Sequence, residues 1–121
     1  MAKEIETYRQ LKVWVEAMDL VEDIYMLTKN LPSDELYGLR SQIRRAVVSI
    51  PSNIAEGHGR RGNKEFLHHL SIAKGSLSEL ETQLILCARL SYISREDLKP
   101  VWDRAQTVSK MLSGLIKALM K

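Results

Sequence analysis

Glu65 and His68 form a Glu-x-x-His pair, the spacing by which ferritin-like helical bundles hold half of a di-iron centre. Such a centre needs a second pair and two further glutamates from facing helices, and the chain contains no second Glu-x-x-His. His68 and His69 are adjacent, so on a helix they point about 100° apart and share an ion only with difficulty. Metal ligation is not expected. Cys87, the single cysteine, lies in an apolar run and reads as a small core residue rather than a reactive thiol, which suits a reducing cytoplasm. No nucleophile elbow and no GxxxxGK[ST] loop occurs, so the expectation is no enzyme, no catalytic residue, no cofactor and no small-molecule substrate.

What remains as chemistry is positive charge. Residues 1–39 carry four cations and eight anions, residues 40–74 seven and two, and residues 75–121 seven and five. The net charge of +3 therefore arises in the middle third, at Arg40, Arg44, Arg45, Arg60, Arg61 and Lys64. These six are the candidate nucleic-acid-binding residues, since clustered cations suit a phosphate backbone. The bland alternative is a solvated face that only keeps the chain soluble. Between them, Gly57-His58-Gly59-Arg60-Arg61-Gly62-Asn63 offers three glycines and two arginines, either a phosphate cradle or a helix stop at Gly57 with Asn63 capping the next helix. Only His58, Phe66, His68 and His69 lie near as rings, so recognition of backbone or shape is expected rather than base stacking.

The elements that must position these residues are helical. With 45% hydrophobic residues, 27% charged and few strand signals, 121 residues fit one all-α domain spanning 1–121. The first helix is expected from Tyr8 to about Lys29, with Leu11, Trp14, Met18, Val21 and Tyr25 as its buried stripe. A second series, Val13, Ala17, Leu20, Ile24 and Leu27, widens the apolar arc to roughly 200°, more than one seam uses, so the surplus suggests burial against another copy, the alternative being that one flank is simply exposed. Leu31-Pro32-Ser33 ends it.

A second helix is expected from about Glu35 to Glu56, capped by Ser33 or Asp34, with Leu36, Leu39, Ile43, Ala46, Ile50 and Ile54 buried and a bend at Val47–Pro51. A third, from about Lys64 to Leu90, keeps heptad spacing at Phe66, Leu70, Ala73, Leu77, Leu80, Leu84 and Cys87, with Gly75, Ser76 and Ser78 letting a neighbour approach. A fourth, capped by Ser94, carries Leu98, Val101, Ala105, Val108, Leu112, Leu115 and Leu119. Short links imply an up-down-up-down antiparallel four-helix bundle. The amino terminus MAKEIETYRQ has no apolar signal core, and no run of about 18 apolar residues spans a membrane.

Along the second helix a polar row, Gln42, Arg45, Ser49, Ser52 and Glu56 with Asn53 adjoining, must be solvated or internally bonded. Ser49, Asn53, Glu56, Glu65 and Ser76 are expected to form a structural polar network between the second and third helices. A bond from Ser49 back to the Arg45 carbonyl is the simpler alternative.

Tyr8 to Trp14, Leu31-Pro32-Ser33-Asp34-Glu35, Gln42-Ile43-Arg44-Arg45-Ala46, the Ser49-Ile50-Pro51-Ser52-Asn53-Ile54-Ala55-Glu56-Gly57 segment and Ala73 to Leu80 together resemble the four-helix-bundle proteins encoded within 23S ribosomal RNA intervening sequences. The resemblance implies a bundle that assembles as a cyclic homo-oligomer, a five-membered ring. It also implies distant kinship with the accessory variability determinant of diversity-generating retroelements, a basic bundle that works with a reverse transcriptase and nucleic acid. The expected function is thus a cytoplasmic, non-enzymatic, oligomeric bundle that binds structured RNA. The alternative is a protein adaptor or scaffold, for example the partner of a reverse transcriptase.

Overall fold

The computed structural model describes residues 7–121, so residues 1–6 lie outside the described residues. Four helices follow in order, α1 (Lys12–Leu27), α2 (Leu39–His58), α3 (Asn63–Arg89) and α4 (Arg95–Leu119), and no strand occurs among the described residues. Each helix packs on the next, and α4 returns to α1, closing a four-cornered bundle. Ser49 meets Ser76 while Asn53 meets His69, so α2 and α3 run antiparallel. Bonds from Gln106 to Glu81 and from Lys74 to Ser113 show the same for α3 and α4. No helix among the described residues is long and apolar enough to cross a membrane.

The core selects between the two apolar series of α1. Val13, Ala17, Leu20 and Ile24 are buried, whereas Met18 and Tyr25 of the stripe expected to be buried are exposed and Trp14 and Val21 only half-buried. Two adjacent stripes of equal spacing differ only in which one its neighbours cover, and α2 and α4 cover the second. α3 and α4 follow their heptads: Leu70, Ala73, Leu77, Leu80, Leu84 and Cys87 are buried, as are Val101, Ala105, Val108 and Leu112.

α2 departs from expectation at both ends. Ser33–Glu35 form a separate 3-10 turn, Leu36 is exposed, and the helix starts at Leu39. Glu35 still serves that helix, because its carboxylate accepts a bond from the Leu39 amide at 3.2 Å, where negative charge meets the positive end of the helix dipole. Gly57 is not a stop. It is buried inside α2 against Phe66 and His69, and the helix continues to His58. The left-handed residue of the loop is Gly62, at φ +83°, which precedes α3 as its cap in place of Asn63. Helical assignment continues through buried Pro51, so the proline is absorbed without ending the helix. Gly75 faces open space and is exposed, so it admits no neighbouring helix.

Candidate nucleic-acid interface

The six candidate cations fall into two groups. Arg40, Arg44 and Arg45 lie in the first two turns of α2, whereas Arg60 and Arg61 follow its end and Lys64 opens α3. At 1.5 Å rise per residue the helix holds Arg45 and Arg60 roughly 20 Å apart. A single contiguous face comprising all six, as the charge run suggests, does not form.

In the first group the guanidinium of Arg40 donates through Nη2 to the carbonyls of Lys29 at 3.2 Å and Leu31 at 2.9 Å. Arg44 donates from Nε to the Thr28 hydroxyl at 3.0 Å and from Nη2 to the Tyr25 carbonyl at 3.1 Å. These acceptors belong to the last turn of α1 and to the 3-10 turn Thr28–Asn30 with Leu31 that follows it, where carbonyls run short of helical donors, and the two arginines supply them. Thr28 is itself buried and donates to the Ile24 carbonyl at 2.7 Å, which fixes the hydroxyl that receives Arg44. Carbonyl partners orient a guanidinium without cancelling its charge, as a carboxylate would. Arg45 is exposed and has no hydrogen-bond or ion-pair partner among the described residues.

These arginines line a groove of about 580 Å³ between α1 and α2, shared with Tyr25, Leu36, Tyr37, Ser41 and Val48 and with no acidic residue in its wall. The Arg44 Cζ lies 4.4 Å from the centre of the Tyr25 ring, a cation–π contact. The aromatic side chains absent from the basic segment in sequence are thus supplied by α1 and by the turn before α2. Tyr25 counted in sequence as an α1 core position, so only the fold could reveal its place beside arginines.

The second group is partly neutralised. Arg60 pairs with Glu56 at 2.8 Å, with both side chains more than half exposed. That bond foremost, and then the charge of His69, hold the Glu56 carboxyl below its ordinary range. Arg61 and Lys64 are exposed. Rings near them, His58 and Phe66, meet edge to face at 5.7 Å rather than presenting a free face together.

The polar row becomes a chain of four side chains. Ser49 Oγ and Ser76 Oγ are 2.8 Å apart, and the Asn53 amide donates to the Ser49 carbonyl at 2.9 Å and its hydroxyl at 3.0 Å. That leaves Asn53 Oδ1 to accept from His69 Nδ1 at 3.1 Å. Two expected members are absent: Glu56 turns to Arg60, and Glu65 stays exposed. His69, not counted in the expected network, takes their place because it lies one helical turn beyond Glu65, opposite Asn53. The chain of bonds ties α2 to α3. No group of three residues able to hold a metal gathers among the described residues, and exposed His68 stands edge-on to His69 at 5.5 Å.

A family model for the 23S rRNA-intervening sequence protein matches residues 9–114. The chain belongs to the 23S rRNA-intervening sequence protein family. As a family member it shares the bundle of a solved structure, a protein of unknown function from the S23 ribosomal protein family of Bacteroides thetaiotaomicron. The two are 28% identical with a TM-score of 0.80, covering 87% of this intervening-sequence protein and 95% of the other chain. No curated protein matches the sequence. The match takes in the first group of arginines and the polar clamp alike.

Proposed function

We propose that this intervening-sequence protein is a non-enzymatic, cytoplasmic bundle that binds structured RNA through its cationic surface and assembles as a cyclic homo-oligomer. The observation that carries the reading is the triplet Arg40, Arg44 and Arg45, three cations in an acid-free groove, two of them already oriented by carbonyls. A pre-oriented guanidinium loses less side-chain freedom when it meets a phosphate, so charge and rigidity act together. Arg60, Arg61 and Lys64 form a second, weaker contact at the far end of α2, because Glu56 offsets part of their charge.

Assembly is supported by the other half of the same seam. There Tyr8, Trp14, Met18, Val21, Pro51 and Ala55 line an apolar groove of about 400 Å³ with no charged residue. The seam between α1 and α2 is thus divided, one half suited to a second copy and the other to a polyanion. Light scattering distinguishes a ring of five, at about five times 13.8 kDa, from a monomer.

The RNA reading is tested by titrating a labelled stem–loop RNA at increasing salt. Phosphate contact predicts a linear fall of log K with log salt, and Arg45→Gln should lessen that slope by about 1. Absence of binding at low salt, or a slope indifferent to Arg45, overturns the reading in favour of a protein adaptor.

A further inference from the structure

Tyr37 is 92% exposed, on the turn that joins the 3-10 turn Ser33–Glu35 to α2, at the lip of the arginine groove. An aromatic ring left so open buries almost none of its surface in this fold, so folding does not account for its position. Three features of the groove bear on what the ring meets. Arg44 covers Tyr25 at 4.4 Å, so one ring of the groove is already stacked and Tyr37 is the one with free faces. Arg40 and Arg44 are anchored to carbonyls of Tyr25, Lys29 and Leu31, which leaves their positive charge unneutralised. Beside Ser41 the remaining wall is apolar and exposed at Leu36 and Val48, and the Nε of Arg40 is buried without a hydrogen-bond partner among the described residues.

A duplex presents phosphates but keeps its base faces stacked inside. An unpaired nucleotide presents both a phosphate and a free π-face, at a separation that one short groove spans. We infer that this groove takes an unpaired nucleotide from a loop or bulge of RNA, its base stacked on Tyr37 and its phosphate met by Arg45 with Arg40 and Arg44. The inference rests on the RNA reading above and narrows it to single-stranded elements within a structured RNA. It also reverses the expectation, drawn from sequence, of recognition without stacking. The groove is a mixed surface in which exposed aromatic, apolar and cationic atoms meet, the combination that a nucleotide supplies in complement.

The test is anisotropy with two labelled RNAs of equal length at one salt concentration, a stem–loop and a fully paired blunt duplex. Wild type, Tyr37→Ala, Tyr37→Phe and Arg45→Gln are compared, each checked for an unchanged melting temperature, which the exposure of both side chains leads us to expect. The expected result is that Tyr37→Ala weakens stem–loop binding roughly tenfold and leaves the duplex untouched, while Tyr37→Phe keeps wild-type affinity. Arg45→Gln should weaken both RNAs. If wild type binds the stem–loop but Tyr37→Ala binds it equally well, or weakens both RNAs alike, the stacking inference is overturned while the RNA reading stands. If wild type binds neither RNA at low salt, both fall together.

Discussion

Gly57 and His69 face each other across the α2–α3 contact so closely that a Cβ built on the glycine would lie 2.6 Å from the Cβ of His69, with a Phe66 ring carbon at 3.1 Å. The His69 Cβ cannot yield easily, because it is anchored to the α3 backbone. Gly57→Ala should therefore force the helices apart where the Asn53–His69 bond holds them, destabilising by about 1–3 kcal/mol in spite of alanine's better helix propensity. Gly75→Ala is the control. It lies exposed on α3 with no atom within 4 Å of the added carbon, and should stabilise by roughly 0.5–1 kcal/mol. Thermal unfolding of the pair reads both, and equal behaviour would contradict the close approach.

The clamp between α2 and α3 predicts a second effect. Asn53→Ala removes the central member, leaving His69 Nδ1 without its partner in a half-buried setting, while the Ser49 hydroxyl keeps only Ser76. The loss should be about 1–3 kcal/mol, as for other part-buried polar groups left unpaired. Glu65→Ala, expected in sequence to belong to the same network, should cost, as read from denaturant midpoints, at most the roughly 0.3–1 kcal/mol of an exposed carboxylate in the first turn of α3, less than Asn53→Ala. A Glu65→Ala loss as large as that of Asn53→Ala would restore Glu65 to the network.

Arg104 gathers charge between α1 and α4. It meets Glu16 at 3.1 Å, Asp19 at 3.4 Å and Asp23 at 2.7 Å, three acids on one face of α1. Burial works to lower its pKa, but Asp23 foremost, with Glu16 and Asp19, holds it above its usual value. Arg104→Gln would leave those carboxylates repelling one another. A loss of about 1 kcal/mol is expected at low salt, shrinking as salt screens the repulsion. A salt-independent loss would point to packing of the arginine stem instead.

Cys87 should be chemically silent in the folded protein. Burial first, and then the negative charge of Glu35, push its thiol from 9.0 up to about 11. The unfolded chain gives up the proton near pH 9 while the folded chain keeps it, so this group favours the fold below pH 9. That contribution is lost as pH rises to about 11. Iodoacetamide labelling at pH 8 should need denaturant. Rapid modification of the native protein would contradict the enclosed setting.

Much of the bundle was legible in the linear order of residues, because helical periodicity is a local property. The heptads of α3 and α4 became buried seams, and Ser94 caps α4 by accepting the Asp97 amide at 3.1 Å, since cap and recipient lie within one turn. The Ser49, Asn53 and Ser76 spacing likewise placed three polar groups where neighbouring helices meet. Family membership, too, followed from segments readable in order.

What the chain alone left open depended on partners far away along it. Which apolar stripe of α1 turns inward was settled by α2 and α4, since both stripes share one period. The arginines were visible as charge, but only the packed end of α1 shows Arg40 and Arg44 held by carbonyls while Glu56 engages Arg60. Gly57 had the look of a helix terminator, and it is a contact point because α3 passes within reach of its missing side chain. Composition and period specify what each helix can bury. Which side chain ends beside which across 10 to 90 positions is a property of the closed bundle, where packing and electrostatics act through space.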